Sequence, residues 1–328
     1  MRLAGAKPGG LPVAGLLVFF LLPFFGCAGI FSDSSPGCPV PERLRIDDVP
    51  FYAQEEYQCV PAALAMLLAW SGVAVSPAEL THQVYSPALK GSLQPALIAA
   101  SRRHGRLAYP IAGSAALLAE LAAGHPVLIL QNLGLSWFPR WHYAVVIGYD
   151  RGANRVILHS GRDAALPMSG RVFANTWARS GSWGLLVLPP ERMPATATEE
   201  SFLAAVVGLE QADQWQAAAL AYGAACRRWP ESFVAWLGLG NSFYVLGDAQ
   251  KAEGAFRRAL ALQSDSGPAL NNLALALAAA GRRQEALAVI DRAVDMGGEF
   301  RDEFLSTRRE ILAAGEADSG GMLPGRPE

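Results

Sequence analysis

"QEEYQCVPAALAMLLAWSG", residues 54–72, decides the fold of the first half of this chain. A polar, turn-like run gives way to an apolar run of helical character, with Cys59 and Pro61 at the join. Pro61 suits the first turn of a helix, where its missing N–H costs nothing, and Gly72 stops the helix. Cys59 therefore falls at or just before a helix N-terminus. Unpaired backbone N–H groups and the helix dipole favour an anion there, so the position is expected to lower the thiol pKa and populate the nucleophilic thiolate. Gln54, five residues upstream, carries an amide able to donate to an oxyanion forming beside the sulfur. The plain alternative for a lone cysteine is a small buried hydrophobe.

A thiolate nucleophile needs a base that later returns the proton. His142 is the candidate: it opens the apolar run "HYAVVIGYD" directly after the aromatic-rich "LGLSWFPRW". His82 falls on a helix, His104 and His125 precede Gly or Pro at turns, and His159 should point away from the face of Ser160. All four read as structural or solvated. Between the cysteine and His142, "SPAELTHQVY" opens with a capping box of Ser76 and Glu79 and with Pro77 at the first helical position. "GSLQPALIAASRRHG" and "SAALLAELAAG" read as further helices. "PVLILQN", a hairpin of "HYAVVIGYD" and "RVILHSG" around "RGAN", and "SWGLLVLPP" read as strands. Helices first and an antiparallel sheet second predict an α+β domain over residues 48–190.

A linker, residues 191–199, leads into an alanine-rich helical region over 200–314. Gly247 and Gly281 are 34 apart, as are Trp236 and Leu270, Leu239 and Leu273, Ala252 and Ala286, Phe256 and Ile290, and Ala259 and Ala293. One step back at the same interval stand Phe202, Asp213, Ala218, Tyr222 and Ala225. This period resembles the tetratricopeptide repeat. Three copies fit, with a capping helix at 300–314 and a disordered tail at 315–328. Such arrays bind protein or peptide partners on a concave face, or act as spacers.

The N-terminus reads as an export signal over residues 1–26: Arg2 and Lys7, then "LPVAGLLVFFLLPFFG". Its apolar run of about 15 residues is short for a span that needs about 20. Gly26-Cys27-Ala28-Gly29 resembles the lipobox of bacterial lipoproteins, which makes Cys27 the lipidated residue and residues 27–47 a tether. Ala28, in place of an aspartate, favours the outer membrane, facing the periplasm. Without residues 1–26 the 27 basic residues become 25 against 29 acidic ones. That balance, with no basic stripe, excludes nucleic acid as an expected partner. Cys38 lies in the Ser/Pro/Gly-rich tether and Cys226 in a repeat, and no zinc-type cysteine spacing occurs. Neither a metal nor an organic cofactor is expected.

Val49-Pro50-Phe51, Gln54, Tyr57-Gln58-Cys59 and Pro61 to Leu64 together resemble the active-site segment of the papain-like cysteine peptidases of family 39, the double-glycine or bacteriocin-leader peptidases, and their exported relatives. "WHYAVVIGYD" resembles their histidine strand. "YSPALKGSLQ" and "QNLGLSWFPRWHYAVVIGYD" resemble exported proteins that join such a domain to tetratricopeptide repeats. The resemblance implies a papain-like fold with Cys59 as nucleophile, Gln54 as oxyanion donor and His142 as general base. Two positions depart from the family. Val60 stands where glycine usually follows the cysteine. Where an Asp or Asn orients the histidine, this chain has Ser160, with Asp163 three residues on as the other candidate. The expectation is an envelope-anchored cysteine peptidase whose repeats recruit a protein substrate or partner. The alternatives are an inactive papain-like fold used for binding or assembly, and a thiol acyltransferase.

Overall fold

The structure is a computed structural model and describes residues 30–31, 41–53, 59–89 and 91–319. The export signal, Cys27, Cys38, Gln54 and residues 320–328 lie outside the described residues. In chain order, β1 (Arg43–Arg45) precedes α1 (Cys59–Trp70), α2 (Pro77–Val84) and α3 (Gln94–Arg103). β2 (Leu107–Ala112), α4 (Ser114–Ala122), β3 (Val127–Asn132), β4 (Trp141–Asp150), β5 (Arg155–Ser160) and β6 (Asp163–Ser169) follow. α5 (Gly170–Ala178) and β7 (Trp183–Leu188) complete the domain.

α1 shows no amphipathic stripe because it is buried on all sides: Val60 through Leu68 are all buried. Each of its fully buried Leu and Met side chains contributes about 1.5–3 kcal/mol of hydrophobic stabilisation. At α2 the capping box forms as expected: the Ser76 hydroxyl accepts from the Glu79 N–H, and the Glu79 carboxylate accepts from the Ser76 N–H.

The seven strands form one antiparallel sheet ordered β2-β7-β3-β4-β5-β6, with β1 paired to the far end of β4. The domain is α+β, but the expected order of helices then strands is corrected. β2 lies between α3 and α4, and α5 between β6 and β7. β2 ("LAYPIA") and β6 ("DAALPMS") each carry a proline and so do not read as strands. They are the two ends of the strand order, where a proline's missing N–H faces outward at no cost to the ladder.

The helical region holds three antiparallel pairs: α6 (Glu199–Glu210) with α7 (Trp215–Arg228), α8 (Phe233–Val245) with α9 (Ala249–Leu262), and α10 (Gly267–Ala279) with α11 (Arg283–Met296). α12 (Arg301–Ser319) ends the described chain. The 34-residue interval reappears in the backbone: Asp213, Gly247 and Gly281 all take positive φ, 55°, 79° and 76°, in the turns within successive pairs. In the second pair, Gly240 and Phe256 show why small residues recur, since a Cβ at residue 240 would stand 2.4 Å from the Phe256 ring.

The two regions share a continuous core. Leu107 and Tyr109 of β2 belong to the same buried cluster as Phe202 and Val206 of α6, and the Tyr109 hydroxyl lies 2.8 Å from Ser201 Oγ. The junction is further fastened at Glu120 of α4, which is fully buried. Its carboxylate accepts from His125 Nδ1 (2.7 Å), the Ala195 and Thr196 N–H groups (3.1 and 2.7 Å) and the Thr196 hydroxyl (2.6 Å). Burial pushes this carboxyl up, but the four bonds together outweigh it and hold Glu120 below its ordinary 4.5.

Candidate active site

Cys59 is the first residue of α1. The backbone N–H groups of Tyr143 on β4 and of Val60 and Cys59 at the helix start act to favour its thiolate. The helix terminus thus acts in the direction the sequence suggested, but burial is the larger effect and pushes the thiol above its ordinary 9.0. The expected lowering of the thiol pKa is corrected on that ground. Val60 turns its branched side chain into the core, where it is 2% exposed.

His142 is the second residue of β4 and precedes Tyr143, whose N–H acts on the thiol. Its Nε2 lies 2.9 Å from Ser160 Oγ. The register that pairs Val145 with His159 sets Ser160 beside Ala144, diagonal to His142 on one sheet face. With Nε2 on the serine, Nδ1 is the other ring nitrogen of His142. Burial lowers the His142 pKa below 6.5. The thiol and imidazole shifts have the same consequence: at neutral pH both groups rest uncharged.

The remaining sequence candidates separate. Asp163 is exposed and pairs with Ser160 through the β5–β6 ladder; the described Nε2 bond goes to Ser160. His159 accepts from the Ala165 N–H at Nδ1 and so donates from Nε2 to the Val49 carbonyl (3.1 and 3.2 Å), a structural role that fastens the approach to α1. Among the described residues, no group of three or more His, Cys, Asp or Glu is arranged to hold a metal, and Cys59 and Cys226 are free thiols.

Two features were not read from the sequence. One is the polar layer between the sheet and α5. Gln131 pairs with His142 across β3 and β4, and its Nε2 donates to Thr176 Oγ1 of α5 at 2.7 Å. The other is a projecting hairpin ahead of β4. The Asn132 side chain accepts from the Gly134 and Arg140 N–H groups, and Arg179 clamps the Asn132 and Gly134 carbonyls. Held in this way, Trp137 and Phe138 are 80% and 72% exposed, and Trp141 is 53% exposed. Strand alternation puts Trp141 on the face of Tyr143, so this apolar wall runs up to the strand position whose N–H acts on the thiol.

Residues 46–182 match the model of the Peptidase_C39 like family. Residues 203–267 and 252–299 match the tetratricopeptide repeat. The chain joins a C39-like peptidase domain to tetratricopeptide repeats. Among solved structures, a C39-like peptidase from Bacillus anthracis is 18% identical, with 45% of this chain and 98% of that chain covered and a TM-score of 0.39. The TPR2B domain of yeast Sti1 in its complex with pHsp70 is 17% identical, with 35% and 97% covered and a TM-score of 0.34. The Yersinia enterocolitica type III secretion translocator chaperone SycD is 18% identical, with 36% and 85% covered and a TM-score of 0.34. No curated protein matched the chain.

Proposed function

We propose that this chain is a thiol hydrolase of peptide or amide bonds, anchored in the cell envelope by lipid on Cys27, with its repeats holding a protein substrate or partner. The Cys59 proton passes to His142 Nδ1 as the sulfur bonds to the substrate carbonyl carbon. The resulting oxyanion takes a hydrogen bond from the Gln54 amide. His142 gives its proton to the leaving amine as the C–N bond breaks, and water then hydrolyses the thioester, with the ring acting again as base. The hairpin of Trp137 and Phe138, together with Trp141, favours substrates with apolar side chains beside the cleaved bond. The observation that carries this reading is the packing of α1 on β4, with the Tyr143 N–H acting on the Cys59 thiol at the strand position next to His142.

The raised thiol pKa and the serine at the orienting position favour a second reading, a binding or assembly module with no turnover. Purified wild-type protein and Cys59→Ser, each incubated with envelope proteins and read by mass spectrometry of new N-termini, separate the two. Hydrolysis requires new termini with the wild type alone. Identical termini from both, or none, leaves the assembly module. An added amine appearing on the acyl side of the products identifies transfer.

A further inference from the structure

Gln131 is fully buried, and its Oε1 has no hydrogen-bond partner among the described residues. The orientation of this amide follows from its neighbour. Thr176 has one hydroxyl proton, directed to the carbonyls of Val172 and Phe173 (2.9 and 3.1 Å), so its oxygen must accept from Gln131. The end of Gln131 on Thr176 is therefore the NH2 group, and the free end is the carbonyl. A buried carbonyl without a donor is destabilising and rare in native proteins. This one belongs to the residue directly opposite His142 in the antiparallel ladder, so the two side chains leave the sheet on the same face, with Cβ atoms about 5 Å apart. On the other side, among the described residues, His142 Nε2 meets a neutral hydroxyl, Ser160. The ring that receives the Cys59 proton becomes an imidazolium in a buried layer, where a charge without compensating dipoles is strongly disfavoured.

We propose that Gln131 is a positioning residue for His142: its carbonyl dipole stabilises the protonated ring, a task that the Ser160 hydroxyl shares without a formal charge. Both ring nitrogens have other tasks, Nε2 on Ser160 and Nδ1 in the proton transfer, so the carbonyl acts on the ring through its dipole, which favours the ring when it is charged. This inference rests on the thiol–imidazole reading given above, but its test does not depend on turnover.

Titration of the His142 ring by NMR in the full chain measures the contact directly. Gln131→Met keeps the length and removes the carbonyl; Gln131→Glu keeps an oxygen and adds charge. The methionine variant should move the His142 titration to lower pH and slow iodoacetamide alkylation of Cys59 at neutral pH by about tenfold or more. The glutamate variant should move the titration to higher pH and restore or exceed the wild-type rate. A purely structural Gln131 would lower the melting temperature and leave the His142 titration where it is, which overturns the proposal. Should the variants fail to fold, the Gln131 side-chain amide signals of the wild type serve instead: they should titrate together with His142, and signals flat across that pH range overturn the inference. Loss of the His142 dependence of Cys59 alkylation in otherwise wild-type protein would instead reject the hydrolase reading.

Discussion

The repeat region and the peptidase-like domain carry their information differently. In the repeats each helix pair packs mainly on its neighbours, so a structural requirement returns at a fixed interval. Asp213, Gly247 and Gly281 sit in equivalent turns with positive φ, and Ala252, Ala259, Ala286 and Ala293 are all fully buried. In the peptidase-like domain the groups that matter come from distant segments, and strand register brings them together. The Tyr143 N–H acts on the Cys59 thiol, His142 meets Ser160, and Gln131 faces His142. Periodicity therefore reveals an architecture, whereas a site built by register is visible in sequence only through the residue types it uses.

The sharpest way to break this contrast is at the junction, where the two regions cease to be independent. Glu120→Ala leaves His125, Thr196 and Ala195 without their buried acceptor and should cost about 3 kcal/mol or more. In calorimetry the expected result is a lower melting temperature with the repeats melting separately; one unshifted transition would show that the clamp is dispensable. The pH dependence follows the sign of the shift. Glu120 is held below 4.5 in the fold, so its contribution is complete above that pH and is lost as pH falls through the lower folded value.

Within the repeats, Gly240→Ala drives a methyl group against the Phe256 ring and should cost about 1–3 kcal/mol by overpacking. Gly247→Ala meets no atom within 4 Å and bears only the strain of positive φ, about 1 kcal/mol. Denaturant titration of both variants should rank them in that order; the reverse order would mean that backbone conformation outweighs packing in the second pair. The smallest effect on stability belongs to the exposed hairpin. Trp137→Ser combined with Phe138→Ser should leave stability within about 0.5 kcal/mol while weakening capture of apolar peptides. Unchanged peptide binding would remove the hairpin from the substrate path.

Much of the fold was legible because its signals are local. The Ser76 box, the stop at Gly72 and the alternation in β4 each depend on a few adjacent residues. β2 and β6 escaped because Pro110 and Pro167 argue against strands unless the strands are known to lie at the sheet edges. Cys59 and His142 stood out as candidates by residue type and chain order. The rise in the thiol pKa was not readable, because it comes from the packing around α1, which the sequence leaves unstated. Gln131 gave no signal at all, since a glutamine in an apolar strand acquires meaning only from its partner across the ladder.

The relation between Cys59 and His142 is tested most directly by iodoacetamide alkylation followed site by site in wild-type protein and His142→Ala. Burial pushes the Cys226 thiol up to about 12, so Cys226 serves as an internal reference with almost no thiolate at neutral pH. Because His142 is held below 6.5, its ring is free to accept the Cys59 proton at pH 7.5. Cys59 should react faster than Cys226 at that pH, slow as the medium is acidified through the His142 titration, and lose about a hundredfold in rate in His142→Ala. A Cys59 rate equal to that of Cys226, or one indifferent to His142→Ala, would contradict the pairing.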